Sequence, residues 1–358
     1  MPSLKEIKGR INSISSTLAI TSAMKMVAAA KLQKAQMAIQ NMLPYERRLH
    51  SMLIDLMGAM NISAAASEDG SVRGSGSAER GFDQSGDRLS LSNRHDLAGM
   101  DGAYSLMAQR EVRKVAIVAF ASNSSLCGAF NSNAIREATA VINEYRASGL
   151  RDSDIVVYSV GRKMAEAMKN LGFPSPADFT KMSDSPSYDA ASALAQELFD
   201  GFVSGRFDKV ELVYNHYKST SSQPTTRQTY LPLSLADATA DLQAGKITDP
   251  ASETDTNRVA EPVGAPVVRQ GSPTTEDLIV EPSKEALIAT LLPKVIRLRI
   301  FTTLLDSAAA EHAARTVAMQ LATDNGNDLL QELTLEYNKG RQQKITSEIL
   351  DLVGGSMQ

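Results

Sequence analysis

Apolar residues near the N-terminus recur at alternating intervals of three and four, which is the spacing of a coiled-coil seam. The seam positions are Leu4, Ile7, Ile11, Ile14 and Leu18. The stretch from 3 to about 60 contains one proline, Pro44, so the sequence predicts a nearly continuous helix. At about 1.5 Å per residue this helix would exceed roughly 80 Å, which is longer than a compact domain accommodates. We therefore expect it to pack against a second long helix.

The C-terminal stretch from about 283 to 353 repeats the four-three spacing over several heptads. Its seam positions are Leu291, Val295, Leu298, Thr302, Leu305, Ala309, His312, Thr316 and Met319. Pro293 lies near the start of this stretch, where a proline is best tolerated. Two long helices at the two chain ends favour a long antiparallel coiled coil.

Between the two helical stretches the pattern changes to that of a small α/β domain. Short, β-branched apolar runs at 114–120, 154–160 and 209–214 alternate with helical patterns near 131–148, 161–171 and 188–204, and 228–233 adds a possible fourth strand. This alternation predicts a mostly parallel sheet flanked by helices, that is, a Rossmann-like domain. The predicted fold class is α/β, with the coiled coil attached to this domain.

Two further segments contain too few apolar residues to offset the entropy of ordering them, and we expect both to be largely disordered. One is rich in glycine, serine and charged residues, and the other contains four prolines. The predicted organisation is a coiled-coil helix at 1–60, a low-complexity insertion at 61–110, the α/β domain at 111–239, a second insertion at 240–277 and a coiled-coil helix at 278–358.

Charge is unevenly distributed along the chain. The net charge of the 358 residues is −4, yet residues 1–48 carry eight lysines and arginines against two glutamates, a local charge of +6. A basic helix can face nucleic acid, anionic lipid or an acidic protein surface, and composition does not choose among them. The pI of about 5.7 and the aromatic content of 5% are not typical of a nucleic-acid-binding protein.

The α/β domain lacks the pattern of a nucleotide-binding loop. Such a loop needs closely spaced glycines before a helix, so that backbone amides reach the phosphate. The segment 121–131 has one glycine and no lysine, and the Gly245-Lys246 pair lies in the second insertion without an upstream glycine. We expect no cofactor, no metal and no small-molecule substrate for this chain.

Cys127 could act as a nucleophile and His312 as a ligand, but a structural role is the favoured interpretation for both. Cys127 precedes a glycine and a predicted helix, a position that can activate a thiol, but no Cys–His motif accompanies it. A small buried residue at a strand-to-helix turn is the better interpretation. His312 lies on the C-terminal seam beside Glu311 and Arg315, and we interpret it as a packed helix residue rather than a ligand.

The cysteine count and the hydropathy bear on location. Cys127 is the single cysteine, which excludes an intramolecular disulfide and favours a reducing compartment. The N-terminus lacks the apolar region of a signal peptide, and the sequence has no run of about 18 apolar residues. If the protein works at a membrane, another component must hold it there.

Specific motifs stand at both ends of the chain and in its middle. The N-terminal helix carries Leu4-Lys-Glu-Ile-Lys-Gly-Arg-Ile11 and Thr21-Ser-Ala-Met-Lys-Met-Val-Ala-Ala-Ala-Lys31. The C-terminal helix carries Glu311-His-Ala-Ala-Arg315, Ala322-Thr-Asp-Asn325, Leu335-Glu-Tyr-Asn-Lys-Gly-Arg-Gln342 and Ile345-Thr-Ser-Glu-Ile349, and the middle adds Ser125-Leu-Cys-Gly-Ala-Phe-Asn131. Together these motifs resemble those of the gamma subunit of F-type ATP synthases, although Asn123, Ser124 and Ser125 stand where that family usually has Asp-Arg-Gly.

The resemblance implies the central rotor shaft of the ATP synthase, a non-catalytic subunit that couples proton-driven rotation of the c-ring to ATP synthesis or hydrolysis. The partners it implies are three alpha and three beta subunits, the epsilon subunit and the c-ring. It implies a peripheral protein on the cytoplasmic side of the bacterial inner membrane, or alternatively on the matrix side of the mitochondrial inner membrane. Because neither insertion contains cysteine, we expect no thiol switch.

The resemblance also assigns contact residues. Contacts to beta subunits are expected at Arg341, Gln342, Thr346, Glu348, Asp351, Met24 and Lys25. The end of the α/β domain that faces the c-ring is expected at Tyr214, Asn215 and Lys218. The basic N-terminal helix would then face an acidic surface of the beta subunit.

Two rival interpretations share parts of the pattern. A static coiled-coil scaffold with an α/β head shares the heptads, and an α/β enzyme with helical arms shares the central domain. The scaffold predicts that Gln342→Leu leaves ATP hydrolysis by an assembled complex unchanged. The enzyme predicts that the isolated chain binds a nucleotide or metabolite.

Overall fold

The computed structural model describes residues 3–68, 110–233 and 284–356. Its first helix, α1, spans Leu4–Glu68, and the last helix spans Lys284–Ser356. The two long terminal helices predicted from the heptads are therefore confirmed. Helix α1 continues eight residues beyond the predicted end of the helix at 60, into the stretch expected to be low-complexity. Residues 69–109 of the first predicted insertion and all of the second lie outside the described residues.

The central α/β domain, called the head here, is described over 110–233. Along the chain it contains β1 (Val115–Phe120), α2 (Phe130–Ala147), β2 (Ile155–Val160), α3 (Arg162–Asn170), α4 (Thr180–Asp184), α5 (Tyr188–Val203), β3 (Lys209–Asn215) and β4 (Thr225–Leu231). The C-terminal helix is therefore α6. The short helix α4 was not predicted, because five residues are too few to show a helical period.

The four strands form one sheet in the order β2-β1-β3-β4. Strand β1 is parallel to both β2 and β3, whereas β4 pairs antiparallel with β3. The mostly parallel sheet predicted from the apolar runs is confirmed. The fourth strand ends at Leu231 rather than 233, since the next residue is Pro232, which has no N–H to donate to a ladder.

Alternate residues of β1 face two different hydrophobic clusters, as the period of a strand requires. Val115, Ile117 and Ala119 pack with α2 and α3 on one face of the sheet. Ala116, Val118 and Phe120 pack on the other face with α5 and with the segment 292–304 of α6. The C-terminal helix therefore forms a layer of the head and is also one of the two helices of the coiled coil.

A side chain from another segment caps helix α3. Its N-terminal flank is Gly161, which has no side chain to accept a hydrogen bond. Asn123, in the loop after β1, supplies the acceptor: its Oδ1 accepts from the backbone N–H of Arg162 at 2.7 Å. The Asn123 amide also donates to the carbonyl of Thr180 at 2.7 Å. Asn123 therefore holds the loop after β1 against the starts of α3 and α4.

Candidate functional site

The coiled coil formed by α1 and α6, called the shaft here, is the candidate functional element. Along α1 the most buried apolar residues all fall on the four-three series that begins at Leu4, and they are Ile7, Ala28, Leu32, Leu49 and Leu53. Along α6 the same series includes Val295, Leu305, Ala309, Met319 and Leu333. The predicted seam is therefore the buried interface of the two helices.

The register of the two helices is antiparallel and is fixed by contacts spread along the seam. Leu18 lies against Gly326, where an added Cβ would come within 2.7 Å of its Cδ2. Thr323 Oγ1 donates to Thr21 Oγ1 at 3.2 Å, and Thr302 Oγ1 donates to Glu46 Oε1 at 3.1 Å. Residue numbers rise on one helix as they fall on the other. Glycine at position 326 is explained by this contact, because a larger residue would push Leu18 away.

The two helices of the shaft have unequal reach. Leu4, at the start of α1, lies against Gly340 of α6. Helix α6 continues to Ser356, which at about 1.5 Å per residue extends it roughly 24 Å past Gly340. Every residue from 341 to 350 is exposed. We call residues 341–356 the tip.

The tip presents apolar side chains to solvent. Five of them are at least 48% exposed, and they are Ile345, Ile349, Leu350, Leu352 and Val353. Apolar groups left in water on a single helix indicate a surface that binds another protein.

Four of the residues expected to contact a beta subunit lie on this tip. Arg341, Gln342, Thr346 and Glu348 are all exposed. Their contacts within the chain are local, since Thr346 Oγ1 donates to the Gln342 carbonyl at 2.9 Å and Glu348 lies 3.7 Å from Lys344. The backbone of the fifth, Asp351, is in α6, and its side chain lies outside the described part. The structure brings these residues together on one helical segment.

Met24 and Lys25 differ in their exposure and in their position relative to the seam. Met24 is 41% exposed on the outer surface of α1. Lys25 is only partly exposed and falls on the four-three series of the seam, next to the buried interface. Adjacent residues of a helix point about 100° apart, so the two side chains leave α1 in different directions. Both remain predicted contacts of a beta subunit.

Two of the three residues expected to face the c-ring lie inside the head. Tyr214 is 6% exposed and Asn215 is 1% exposed. Asn215 Nδ2 donates to the Phe130 carbonyl at 3.0 Å, and its Oδ1 accepts from Thr225 Oγ1 at 2.7 Å. These two side chains stabilise the end of β3 and are not available to a partner in this structure. Lys218 is exposed.

The direction of β3 sets the position of segment 214–218 along the shaft. At the start of β3, Val210 pairs with Leu231, and the neighbouring Tyr230 donates to the Ile296 carbonyl at 2.9 Å. Just past the end of β3, Tyr217 N donates to Asp306 at 2.9 Å. Strand β3 therefore runs in the same direction as α6, and segment 214–218 lies at the edge of the head nearer to the tip.

Sequence reasoning missed a polar connection between α6 and the loop after β1. Arg315 donates to Glu311 Oε1 at 2.5 Å and to the Ser125 carbonyl at 2.7 Å. Glu311 is 8% exposed. Burial raises the pKa of Glu311, although the hydrogen bond from Arg315 opposes the shift. Glu311 and Arg315 are four residues apart on α6, whereas the contact to Ser125 depends on tertiary structure.

His312 is packed into the shaft, as predicted. Its Nδ1 is buried and lacks a hydrogen-bond partner within the described residues. Burial, followed by the positive charges of Lys31 and Arg315, lowers the pKa of His312 to about 4. The imidazole is therefore neutral at pH 7.

Replacing His312 with glutamine is expected to reduce the acid sensitivity of the fold. The ordinary pKa of histidine is about 6.5, so between pH 6.5 and about 4 the unfolded chain binds more protons than the folded chain. This residue therefore destabilises the folded state progressively as the pH falls through that window. Thermal unfolding of the purified chain at pH 7.5 and pH 5 measures the effect. The midpoint should fall less on acidification in the His312→Gln variant, and an equal fall in both proteins would contradict the assignment.

Cys127 is 1% exposed and lies at the turn between β1 and α2. Asn131 Nδ2 donates to its Sγ at 3.2 Å. The interpretation of Cys127 as a small buried residue is confirmed. Within the described ranges there is no group of three His, Cys, Asp or Glu side chains that could hold a metal ion. In the same ranges, none of the helices is long and apolar enough to cross a membrane.

Comparison with known proteins gives a consistent result. The family model for ATP synthase matches residues 3–357. The chain is 47% identical over 357 residues to the ATP synthase gamma chain of Phocaeicola vulgatus and 44% identical over 358 residues to that of Bacteroides thetaiotaomicron, with 100% of both chains covered in each case. The similarity to these relatives therefore extends over the full length of both chains.

Among solved structures, the chain is similar to the rotor of the Euglena gracilis mitochondrial ATP synthase. The TM-score is 0.50 at 17% identity, with 96% of this chain and 98% of that chain covered. At this level of identity the similarity concerns the fold.

Proposed function

Because this chain belongs to the ATP synthase family, in which its relatives are gamma chains, we propose that it is the central rotor shaft that couples rotation of the c-ring to ATP synthesis or hydrolysis. The observation that carries this function is the unequal reach of the two shaft helices. A paired lower section supplies stiffness, and a single helix that continues over residues 341–356 supplies an asymmetric end.

Asymmetry has a direct physical consequence for a ring of identical partners. A partner can shift a conformational equilibrium only if it binds one conformation better than another. When the shaft turns inside a ring of alpha and beta subunits, each beta subunit meets a different face of it. Each orientation therefore favours a different conformation of each beta subunit, and rotation changes them in sequence.

Polar residues of the tip are the proposed contacts of a beta subunit. Arg341, Gln342, Thr346, Glu348 and Asp351 follow the last seam contact, so α1 does not cover this segment. Arginine and glutamine side chains donate several hydrogen bonds and suit a polar loop on a partner. The apolar side chains of the tip would turn inside an apolar collar, where few directional bonds have to break during rotation.

On α1, Met24 is proposed as a contact of a beta subunit because it faces outward. Lys25 can contribute only through the part of its side chain that leaves the seam. The remaining basic residues of the first 48 positions give this helix a charge that suits an acidic surface.

We further propose that the chain has no catalytic site, so that ATP chemistry takes place in the partner subunits. Its attachment to the membrane would be through the c-ring, on the cytoplasmic side of the bacterial inner membrane. The epsilon subunit and the c-ring would bind the end of the molecule opposite the tip. For the head, this assigns the c-ring side to the edge where β1 and β3 begin, rather than to the segment 214–218.

Substitution of Gln342 by leucine tests the proposed role of the tip. Loss of a hydrogen bond to a partner costs about 1 kcal/mol. ATP hydrolysis by the assembled complex should then fall by about fivefold. The matched control is Gln40→Leu, at an exposed position of α1 beside the head. The control should leave hydrolysis unchanged.

Co-purification of the tagged chain separates the rotor from its rivals. Alpha and beta subunits should be recovered in threefold excess over this chain. Unchanged hydrolysis in the Gln342→Leu complex would favour a static scaffold. Calorimetric binding of a nucleotide to the isolated chain would favour an α/β enzyme.

A further inference from the structure

The loop between β3 and β4 contacts both helices of the shaft at the same level. His216 Nδ1 lies 2.6 Å from Asp306 Oδ2, and Tyr217 N donates to Asp306 Oδ1 at 2.9 Å. The hydroxyl of Tyr217 accepts from Gln36 Nε2 at 2.7 Å. Asp306 belongs to α6 and Gln36 belongs to α1. We call these four residues, Gln36, His216, Tyr217 and Asp306, the clasp.

The ring of Tyr217 fills the space at which three parts of the molecule meet. It packs against a cluster formed by the two shaft helices and against a second cluster that includes the turn after β1. The first cluster comprises Leu32, Ala309 and Ala313, and the second comprises Cys127, Phe130 and Ala310. The alanines of α6 leave room for the ring, because a larger side chain at these positions would occupy the same space.

Like the hydrogen bonds of Arg315 to Ser125 and of Tyr230 to Ile296, the clasp adds directional contacts between head and shaft, but it reaches α1 as well as α6. Lower on α6, the head binds through apolar residues such as Leu298, Ile300 and Leu304. Apolar contacts are non-directional and tolerate sliding or rolling of one surface on another. Hydrogen bonds weaken steeply as their angles change. The three polar contacts of the clasp therefore resist rotation of the head about the shaft axis more than an equal area of apolar contact would.

The two helices also need to turn together. Force applied to the head reaches α6 through its apolar layer, since α6 is part of the head core. At the tip-ward edge of the head, Tyr217 adds a direct connection to α1 through Gln36. A connection from one loop to both helices prevents the head from turning α6 relative to α1.

We propose that the clasp is a mechanical lock that transmits torque between the head and both helices of the shaft, with His216, Tyr217, Asp306 and Gln36 as positioning residues. This inference rests on the proposed rotor function. It assigns a role to the loop after β3 that differs from binding the c-ring. The buried Asn215 fixes the base of the same loop through its hydrogen bonds to Phe130 and Thr225.

Single-molecule rotation of the complex tests the lock. The alpha–beta ring is fixed to a surface and a bead is attached to the head through Lys169→Cys, an exposed position of α3. Within this chain, labelling is selective for the introduced cysteine because Cys127 is 1% exposed. The variance of the bead angle during catalytic pauses reports the torsional stiffness between ring and head.

The variant Tyr217→Phe keeps the ring and its packing but removes the hydroxyl that accepts from Gln36, so the chain should fold. Combining it with Asp306→Ala also removes the carboxylate that contacts His216 Nδ1 and Tyr217 N. In the double variant the variance of the bead angle should rise by about twofold, because the aromatic ring at position 217 still packs in place while the hydrogen bonds of the clasp are lost. ATP hydrolysis without load should be unchanged, since the ring and the tip are unaltered.

Matched controls separate the lock from general loosening. Tyr45→Phe removes an exposed tyrosine hydroxyl from α1, and Asp328→Ala removes an exposed carboxylate from α6. Neither should change the variance. Adding Gln36→Leu to Tyr217→Phe should have no further effect, because the two residues act through one hydrogen bond.

Wild-type variance in the double variant would overturn the lock, as would additive effects of Gln36→Leu and Tyr217→Phe. If the bead on the wild-type head does not rotate with ATP, the proposed rotor function itself fails. The two failures are therefore distinguishable.

Discussion

Replacing Gly161 with alanine is expected to lower the free energy of unfolding of the head by about 3 kcal/mol or more. Gly161 has a φ of +98°, which a residue with a Cβ rarely adopts. A Cβ at this position would lie 2.0 Å from the carbonyl oxygen of Ala121. That oxygen belongs to the backbone just after β1, so it cannot rotate away as a flexible side chain could.

The neighbouring contacts hold this backbone in place. Ala121 N donates to the Val160 carbonyl at 2.9 Å, and the Ala121 carbonyl accepts from Ser183 Oγ at 3.0 Å. Relief of the clash would move the ends of β1 and β2 apart and would break these bonds. Chemical denaturation of the purified chain measures the loss of stability.

Gly172→Ala is the control for the backbone conformation alone. Gly172 has a φ of +91°, but a Cβ there would meet nothing within 4 Å. The control should cost about 1 kcal/mol, which is the strain of a positive φ without a clash. Equal losses in the two variants would show that the contact with Ala121 is not the cause.

Replacing Glu211 with alanine is expected to destabilise the fold by about 3 kcal/mol, because removing one partner of a buried ion cluster leaves the others uncompensated. The Glu211 side chain is 2% exposed and points from β3 towards α2. It accepts from Lys209 and Arg227, each at 2.6 Å, and from the Tyr145 hydroxyl at 2.5 Å. Arg227 also pairs with Glu144 at the surface.

The protonation state of Glu211 follows from these contacts. Burial raises its pKa, but the hydrogen bonds from Arg227, Lys209 and Tyr145 outweigh burial and leave the pKa below its ordinary value. Its stabilising contribution is therefore present above the ordinary pKa of glutamate and is lost as the pH falls below it. Denaturation of the wild-type and Glu211→Ala chains at pH 7 measures the difference.

Asp152→Ala is the matched control for Glu211. It removes the acceptor of an arginine pair in which Asp152 is 61% exposed. Exposed pairs contribute little because water screens them, so we expect no resolvable change. A comparable loss in the control, or a stable Glu211→Ala chain, would contradict the role given to burial.

Much of the fold was predictable because its signals are local. The four-three spacing that starts at Leu4 predicted the seam, and β-branched runs such as 114–120 predicted the strands of the sheet. The end of α1 was placed at 60 instead of Glu68, because helix ends depend on weak signals. The short α4 gave no periodic signal.

The candidate contacts were less predictable, for a different reason. A motif assigns residues to a partner without showing which side chains point outward. Tyr214 and Asn215 match a family motif, but they are buried because they end a central strand. Lys25 lies next to Met24 in sequence, yet its position in the heptad turns it towards the seam.

The sequence by itself determined that two long helices pair along a heptad seam and that a mostly parallel sheet lies between them in the chain. These features follow from a period of 3.5 residues and from short β-branched apolar runs, both of which are local signals in the sequence. Only the tertiary structure decided that α6 outreaches α1 beyond Gly340, that β3 runs towards the tip and that Tyr217 joins both helices. Each of these depends on the register between segments distant in the chain, where side chains such as Leu18 and Gly326 must fit together in space.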